Sequence, residues 1–430
     1  MNVRMSRFLL TLLLVLPAVP FAQDMKLEYH GAGWAQFGKI EHSYNLDTNS
    51  FNNNDKNWMQ NAGGQLSVTA KIDSNWEGTL ALGAIQVHLP RGNLSQADFW
   101  YPFWVAYVGE AKVTYSRPVL GTGKLRVTFG DFGYGYSSDN KNLGLYLMRG
   151  YVYPGAVESG FGTIFGAMAH YEQGPFGNDV IIKSEDEHPT YDLSLADVAS
   201  YRILPGLEVG AGVNFYRLIA QNSDLTSPDR TCGGTYGHCY IVDYSDTTGG
   251  KAPDTVTGSL SGTKVMARFH ADPKMLFGFS KFGSLALGKQ DLVLYGEAAI
   301  LGLKEYPVYY DDIWRRIPVM VGFNLPAFNY VDYLSVEVEY YASKNSSDNW
   351  EANYGGGWVP TSLDPEVNGR DDWKWSVNTA KTLFAHLQFS AQVANDHLRL
   401  GGWHDEPETG KEALRTPEDW YWTCKLAYFF

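Results

Sequence analysis

Past residue 22 the chain contains no apolar run near the roughly 18 residues that a membrane-spanning helix needs, which excludes a helical membrane protein. Positive charge is scarce. Lys and Arg number 34 against 47 Asp and Glu, a net charge of −13, which argues against nucleic acid as a partner. Patterns of catalysis are missing as well: there is no G-x-S-x-G and no H-E-x-x-H. The stretch "GGWHDEPETG" gathers His404, Asp405, Glu406 and Glu408, but consecutive loop residues point in different directions, so it reads as solvated acidic surface. The chain is expected not to be an enzyme, and no cofactor is implied.

What is present begins with an address. Arg4 and Arg7 form a positive leader, Phe8 to Leu16 a short apolar stretch, and Pro17, Ala18 and Ala22 a small-residue exit. This is the pattern of a secretory signal peptide over residues 1–22, with cleavage expected after Ala22. Only three cysteines follow. In an exported protein Cys232 and Cys239, close together in "TCGGTYGHCY", are expected to form a disulfide that pins a loop over 220–262. A metal there would use both thiols and His238 but lacks a fourth ligand nearby, so no metal is expected. Aromatics, by contrast, make up 15% of the chain, with 28 Tyr, 13 Trp and 45 Gly. That balance fits a sheet whose outer surface meets lipid and whose rims lie at membrane interfaces.

Alternation with period two recurs along the chain. In "GQLSVTAKID", Leu66, Val68, Ala70 and Ile72 share one face and Gln65, Ser67, Thr69 and Lys71 the other. In "VAYVGEAKVTY", Val105, Tyr107, Ala111, Val113 and Tyr115 oppose Glu110, Lys112 and Thr114. Similar runs place strands near 27–41, 61–73, 75–88, 103–116, 124–134, 161–172, 178–185, 190–203, 207–219, 263–272, 290–303, 315–325, 333–343, 371–381, 384–397 and 419–430. The predicted fold is all-β: a transmembrane, antiparallel, up-and-down β-barrel of about sixteen strands spanning residues 23–430. With the first strand running upward, the long insertions 42–60, 89–102, 135–160, 220–262, 344–370 and 398–418 all fall outside the cell, and tight turns fall in the periplasm. The connection 273–289 is long for a periplasmic turn.

The chain ends in "WYWTCKLAYFF", an alternating aromatic strand that stops on Phe430. It resembles the C-terminal signature of Gram-negative outer-membrane β-barrels, and the strand count resembles the porins. The resemblance implies an outer-membrane location among lipid and lipopolysaccharide, recognition of Phe430 by the barrel-assembly machinery, and a water-filled diffusion channel. Porins are commonly trimeric, so a homotrimer is among its implications. The acidic motif of many classical constriction loops is not seen.

Porins resemble one another in folding a long loop after the fifth strand into the lumen. Here that position is residues 135–160, and Asp131, Asp139, Lys141, Arg149 and Glu158 are its candidate charges. The barrel wall offers Lys112, Lys124, Arg126, Lys264 and Arg268, with Glu110, Glu208, Glu297, Glu337 and Glu339 as acidic candidates. Opposed charges across a narrow gap order water and rank solutes by charge and dipole. Trp104, Tyr295 and Tyr341 are candidates for stacking on sugar rings. The expected function is passive diffusion of small hydrophilic solutes or ions. The alternatives are a surface-binding barrel that uses its long loops, and a barrel hydrolase.

Overall fold

The computed structural model describes residues 25–43, 55–88, 103–119, 121–148, 163–184, 192–219, 240–243, 254–257, 262–303, 313–341, 373–398, 414 and 416–430. The signal peptide, Arg149, Glu158, Cys232 and Cys239 lie outside these residues. Most strands run long enough to cross a bilayer at a tilt, and each finds its neighbour in the barrel through an antiparallel ladder. The barrel strands are β1 (Lys26–His42), β2 (Trp58–Lys71), β3 (Trp76–His88), β4 (Phe103–Val119), β5 (Gly123–Gly133), β6 (Thr163–Gln173), β7 (Phe176–Ser184), β8 (Leu193–Leu204) and β9 (Leu207–Ile219). They continue with β12 (Gly262–Ala271), β15 (Leu294–Ile300), β16 (Val319–Asn324), β17 (Tyr333–Tyr340), β18 (Trp373–Leu383), β19 (Leu387–Asn395) and β20 (Trp420–Phe429). These sixteen form one closed barrel in sequence order. Two small hairpins stand apart from it, β10 (Tyr240–Asp243) with β11 (Asp254–Thr257), and β13 (Lys281–Phe282) with β14 (Leu285–Ala286). No helix of the described residues is long and apolar enough to cross a membrane.

The ends of the chain close the cylinder. β1 pairs with β20, and Gly31 and Phe430 exchange backbone hydrogen bonds of 2.9 and 3.0 Å. A side chain at Gly31 would collide with the tip of the Phe430 ring, so the terminal aromatic covers this glycine.

The apolar rows face outward. In β20, Trp420, Leu426, Tyr428 and the following Phe430 are exposed, while Tyr421 and Ala427 are buried on the inner side. Aromatic contacts gather toward both ends of the strands. Trp76–Tyr115, at 4.7 Å, and Tyr428–Phe430, at 6.2 Å, lie near the short turns; Phe37–Trp58, at 5.0 Å, and Tyr340–Trp373, at 4.8 Å, lie near the long connections. A greasy band between aromatic rims is the outer surface of a membrane barrel.

Registers shift in the β1–β20, β8–β9 and β3–β4 ladders, and the last of these changes which residues face the lumen. The register of β3 against β4 shifts between Ala81 and Leu82, where Gly109 is the extra residue. This bulge leaves Val113 outward but reverses the upper half of β4. Trp104 is 59% exposed on the outer face, whereas Tyr107 points inward and donates to Gln65 Oε1 at 3.3 Å. The expectation that Trp104 faces the lumen is therefore corrected, and Tyr107 leaves the apolar row assigned to it.

The long connection between β12 and β15 is folded. Asp272 caps helix α1 (Pro273–Phe277) by accepting from Lys274 N at 2.9 Å, Pro273 opens the helix, and Gly278, with φ +70°, closes it. The hairpin β13–β14 follows. Buried Asp291 then accepts from Gly288 N, Ala327 N and Phe328 N at 2.8, 3.0 and 2.9 Å, which ties this connection to the next turn.

Candidate functional site

After β5 the chain turns into the lumen and crosses to the far wall. The inward carboxylates of β15 and β17 hold it there. Glu297 accepts from Leu145 N at 2.9 Å, Tyr146 N at 2.8 Å, and the Tyr136 hydroxyl. Glu337 accepts from three successive backbone amides, Lys141 N at 2.6 Å and Asn142 N and Leu143 N at 2.9 Å each. Glu339 accepts from the Tyr146 hydroxyl at 2.7 Å. Consecutive amides aimed at one anion form a backbone concavity that matches a carboxylate.

Apolar side chains complete the docking. Leu143, Tyr146 and Leu147 are buried against Ile181, Met266 and Met320. Gly144 takes a left-handed φ of +83°, and a Cβ there would stand 2.7 Å from Met320 Cε. Gly212 of β9 likewise leaves room for Leu147. On the β9 and β12 side, Asn214 Nδ2 donates to Leu147 O at 3.2 Å and Lys264 Nζ to Tyr146 O at 3.4 Å.

Ion pairs border the docked segment. His270 and Asp139 join wall to loop at 2.8 Å. Arg268 pairs with Glu208 at 2.8 Å, and His170 with Asp179 at 2.6 Å, where the Tyr134 hydroxyl also donates. Lys141 extends from the loop over the Tyr333 ring, 4.9 Å from its centre. Burial pushes the Lys141 ammonium below the usual lysine range, while Asp139 and Glu337 pull it back up.

The residues singled out from sequence fall into distinct positions. Glu110 and Lys112 face inward as a partly exposed ion pair at 2.8 Å. Lys124 and Arg126 stand on the inward row of β5 and are exposed. Lys264, Glu297, Glu337 and Glu339 also project inward, but each is at most 4% exposed beneath the loop. The loop thus takes these four out of the water path; they are anchors rather than lining. Asp139 and Lys141 lie in the loop. Asp131 does not: it belongs to β5, paired with Ala111 and with Phe165, whose ring is 57% exposed on the outer row. Tyr295 points inward but is covered, its hydroxyl 2.7 Å from Ser335 Oγ and donating to Glu337 at 2.8 Å. Tyr341 is buried in the same core.

Sequence reading missed the loop's own partners, Tyr136, Asn140, Tyr146 and Leu147, because single-residue spacing says nothing of contacts across the lumen. It also missed Tyr107 and Gln65; the signal for them was Gly109 inside an otherwise regular strand.

No family model matches this chain, and no curated protein matches it. Solved structures with a similar fold include three engineered variants of the porin of Rhodopseudomonas blastica, each covering 94% of this chain and 100% of its own. They are 8%, 9% and 8% identical, with TM-scores of 0.46, 0.44 and 0.45. From the closed sheet of sixteen strands, its outward apolar band and its inward loop, the architecture is that of a porin-like outer-membrane β-barrel.

Proposed function

We propose that the chain forms a passive outer-membrane channel for small hydrophilic solutes, narrowed by the loop after β5. The observation that carries this reading is the docking of residues 134–148 onto Glu297, Glu337 and Glu339, which narrows the lumen from one side. Side chains that plug a barrel would need to fill it from all sides. Here the loop leans on the wall of β9, β12, β15 and β17, while half-exposed polar residues of β1, β2 and β4 stay open to water. Permeation is then governed by size and by the field of the lumen charges, chiefly the accessible Lys112, Lys124 and Arg126 and the largely covered Arg268, with their acidic neighbours. Export through the signal peptide, a Cys232–Cys239 bridge in the 220–262 loop, assembly through Phe430 and a homotrimeric state belong to the same reading.

Purified protein in a planar lipid bilayer should give stepwise ion conductance. A well-folded preparation that inserts and yields no open-channel steps would refute the channel and favour a surface-binding role.

A further inference from the structure

Resting on that channel reading, we infer that the lumen wall of β1, β2 and β4 is a binding track for saccharides and similar polyhydroxylated solutes, built on Trp34, Gln65 and Tyr107. Three inward-facing glycines floor this wall. A Cβ at Gly63 would stand 2.4 Å from Trp34 Cζ2, one at Gly83 2.4 Å from Tyr107 Cζ, and one at Gly109 2.8 Å from Gln65 Oε1. Each planar group therefore sits over a glycine with no side chain beneath it, and part of its surface stays accessible. The Tyr107 hydroxyl donates to Gln65 at 3.3 Å and joins two of the three plates. The bulge at Gly109 is what turns Tyr107 to this side.

Rings elsewhere in the lumen are used differently. Tyr295 lies over Gly322 in the same manner, yet it is 1% exposed and sealed under the loop. Trp34, Gln65 and Tyr107 are only half-buried. Around them stand carboxamides: Asn61 donates to Gln36 at 3.3 Å. Lys425 Nζ lies 5.4 Å from the centre of the Trp34 ring and supplies a further donor.

This combination selects a chemistry. A pyranose carries apolar C–H faces, which seat on aromatic plates, and a rim of hydroxyls, each both donor and acceptor. Carboxamides and a phenol match such hydroxyls one for one. A strongly charged solute would find little net field beside Tyr107, where Glu110 and Lys112 neutralise each other at 2.8 Å, and beside Trp34 it would meet the Lys425 ammonium.

The test is block of ion current through single channels of the full-length protein by maltotriose, with a poly(ethylene glycol) of equal size as the control for plain obstruction. Wild type should show concentration-dependent block by the sugar. Trp34→Ala and Tyr107→Ala should each raise the half-blocking concentration about tenfold, equal to about 1.4 kcal/mol, with block by the polymer unchanged. Trp34→Phe should retain most of the block. Gly63→Ala, which keeps every plate but lifts the indole from its seat, should weaken block as well. Channels that conduct ions but are not blocked by maltotriose would overturn the track and leave the channel standing. So would sugar block that all of these variants leave unaltered.

Discussion

At the scale of single residues, the inward glutamates show how position and role separate. Alternation alone placed Glu337 and Glu339 opposite an apolar row, and the structure has them on the inner side. Their work as acceptors for the loop was beyond reading, because Glu337 meets Lys141 N across 196 positions of sequence. Replacing that acceptor by a group that also donates sets an amide against amides. Glu337→Gln should destabilise the docked loop by about 3 kcal/mol, since hydrogen bonds to a charged group are worth roughly 1.5–3 kcal/mol each. In a bilayer it should appear as larger, noisier single-channel conductance, while a quiet trace of wild-type amplitude would contradict the anchoring role. Asp197 makes the opposite case. It lies exposed on the outward row of β8, held only by Asn178 Nδ2 at 2.5 Å among the hydrogen bonds seen. A carboxylate facing hydrocarbon is costly, so Asp197→Ala should stabilise the barrel by about 1 kcal/mol in urea unfolding from vesicles.

Among elements, all sixteen barrel strands could be anticipated from spacing, with ends displaced by a few residues. The misses have local causes. β18 runs on to Leu383 because its turn uses Phe384 and Ala385 in left-handed conformations, φ +53° and +61°, where no glycine or asparagine announces a turn. The strand expected over 290–303 shrinks to Leu294–Ile300, since the residues before it belong to the folded connection around α1. Faces in β4 could not be assigned beyond Gly109, because a bulge conserves apolar alternation while exchanging its sides. Closure by the last strand is itself testable. Gly31→Leu would drive a side chain into the Phe430 ring and should cost about 1–3 kcal/mol, as overpacking does. The expected readout is a lowered temperature for loss of the compact band in heat-modifiability gels; an unchanged temperature would mean that the terminal ring does not seal the seam.

For the molecule as a whole, the accessible lumen charges matter more than the net charge of −13. Arg126 is exposed and its cross-strand neighbour is His170, whereas Arg268 is bound to Glu208 at 2.8 Å. Arg126→Glu should therefore shift the reversal potential toward cations in a salt gradient, more at 0.1 M than at 1 M salt because screening shortens from about 10 Å to about 3 Å. Arg268→Glu should shift it in the same sense and also loosen the wall beside the loop. No shift in either variant would mean that the narrow path runs elsewhere.

The docked loop has one more implication. It leans on one half of the circumference, so on the channel reading a solute between loop and wall meets two unlike surfaces. On the inferred track it would present one flank to Trp34 and Tyr107. Left- and right-handed forms of one compound, identical in size and charge, should then cross at different speeds.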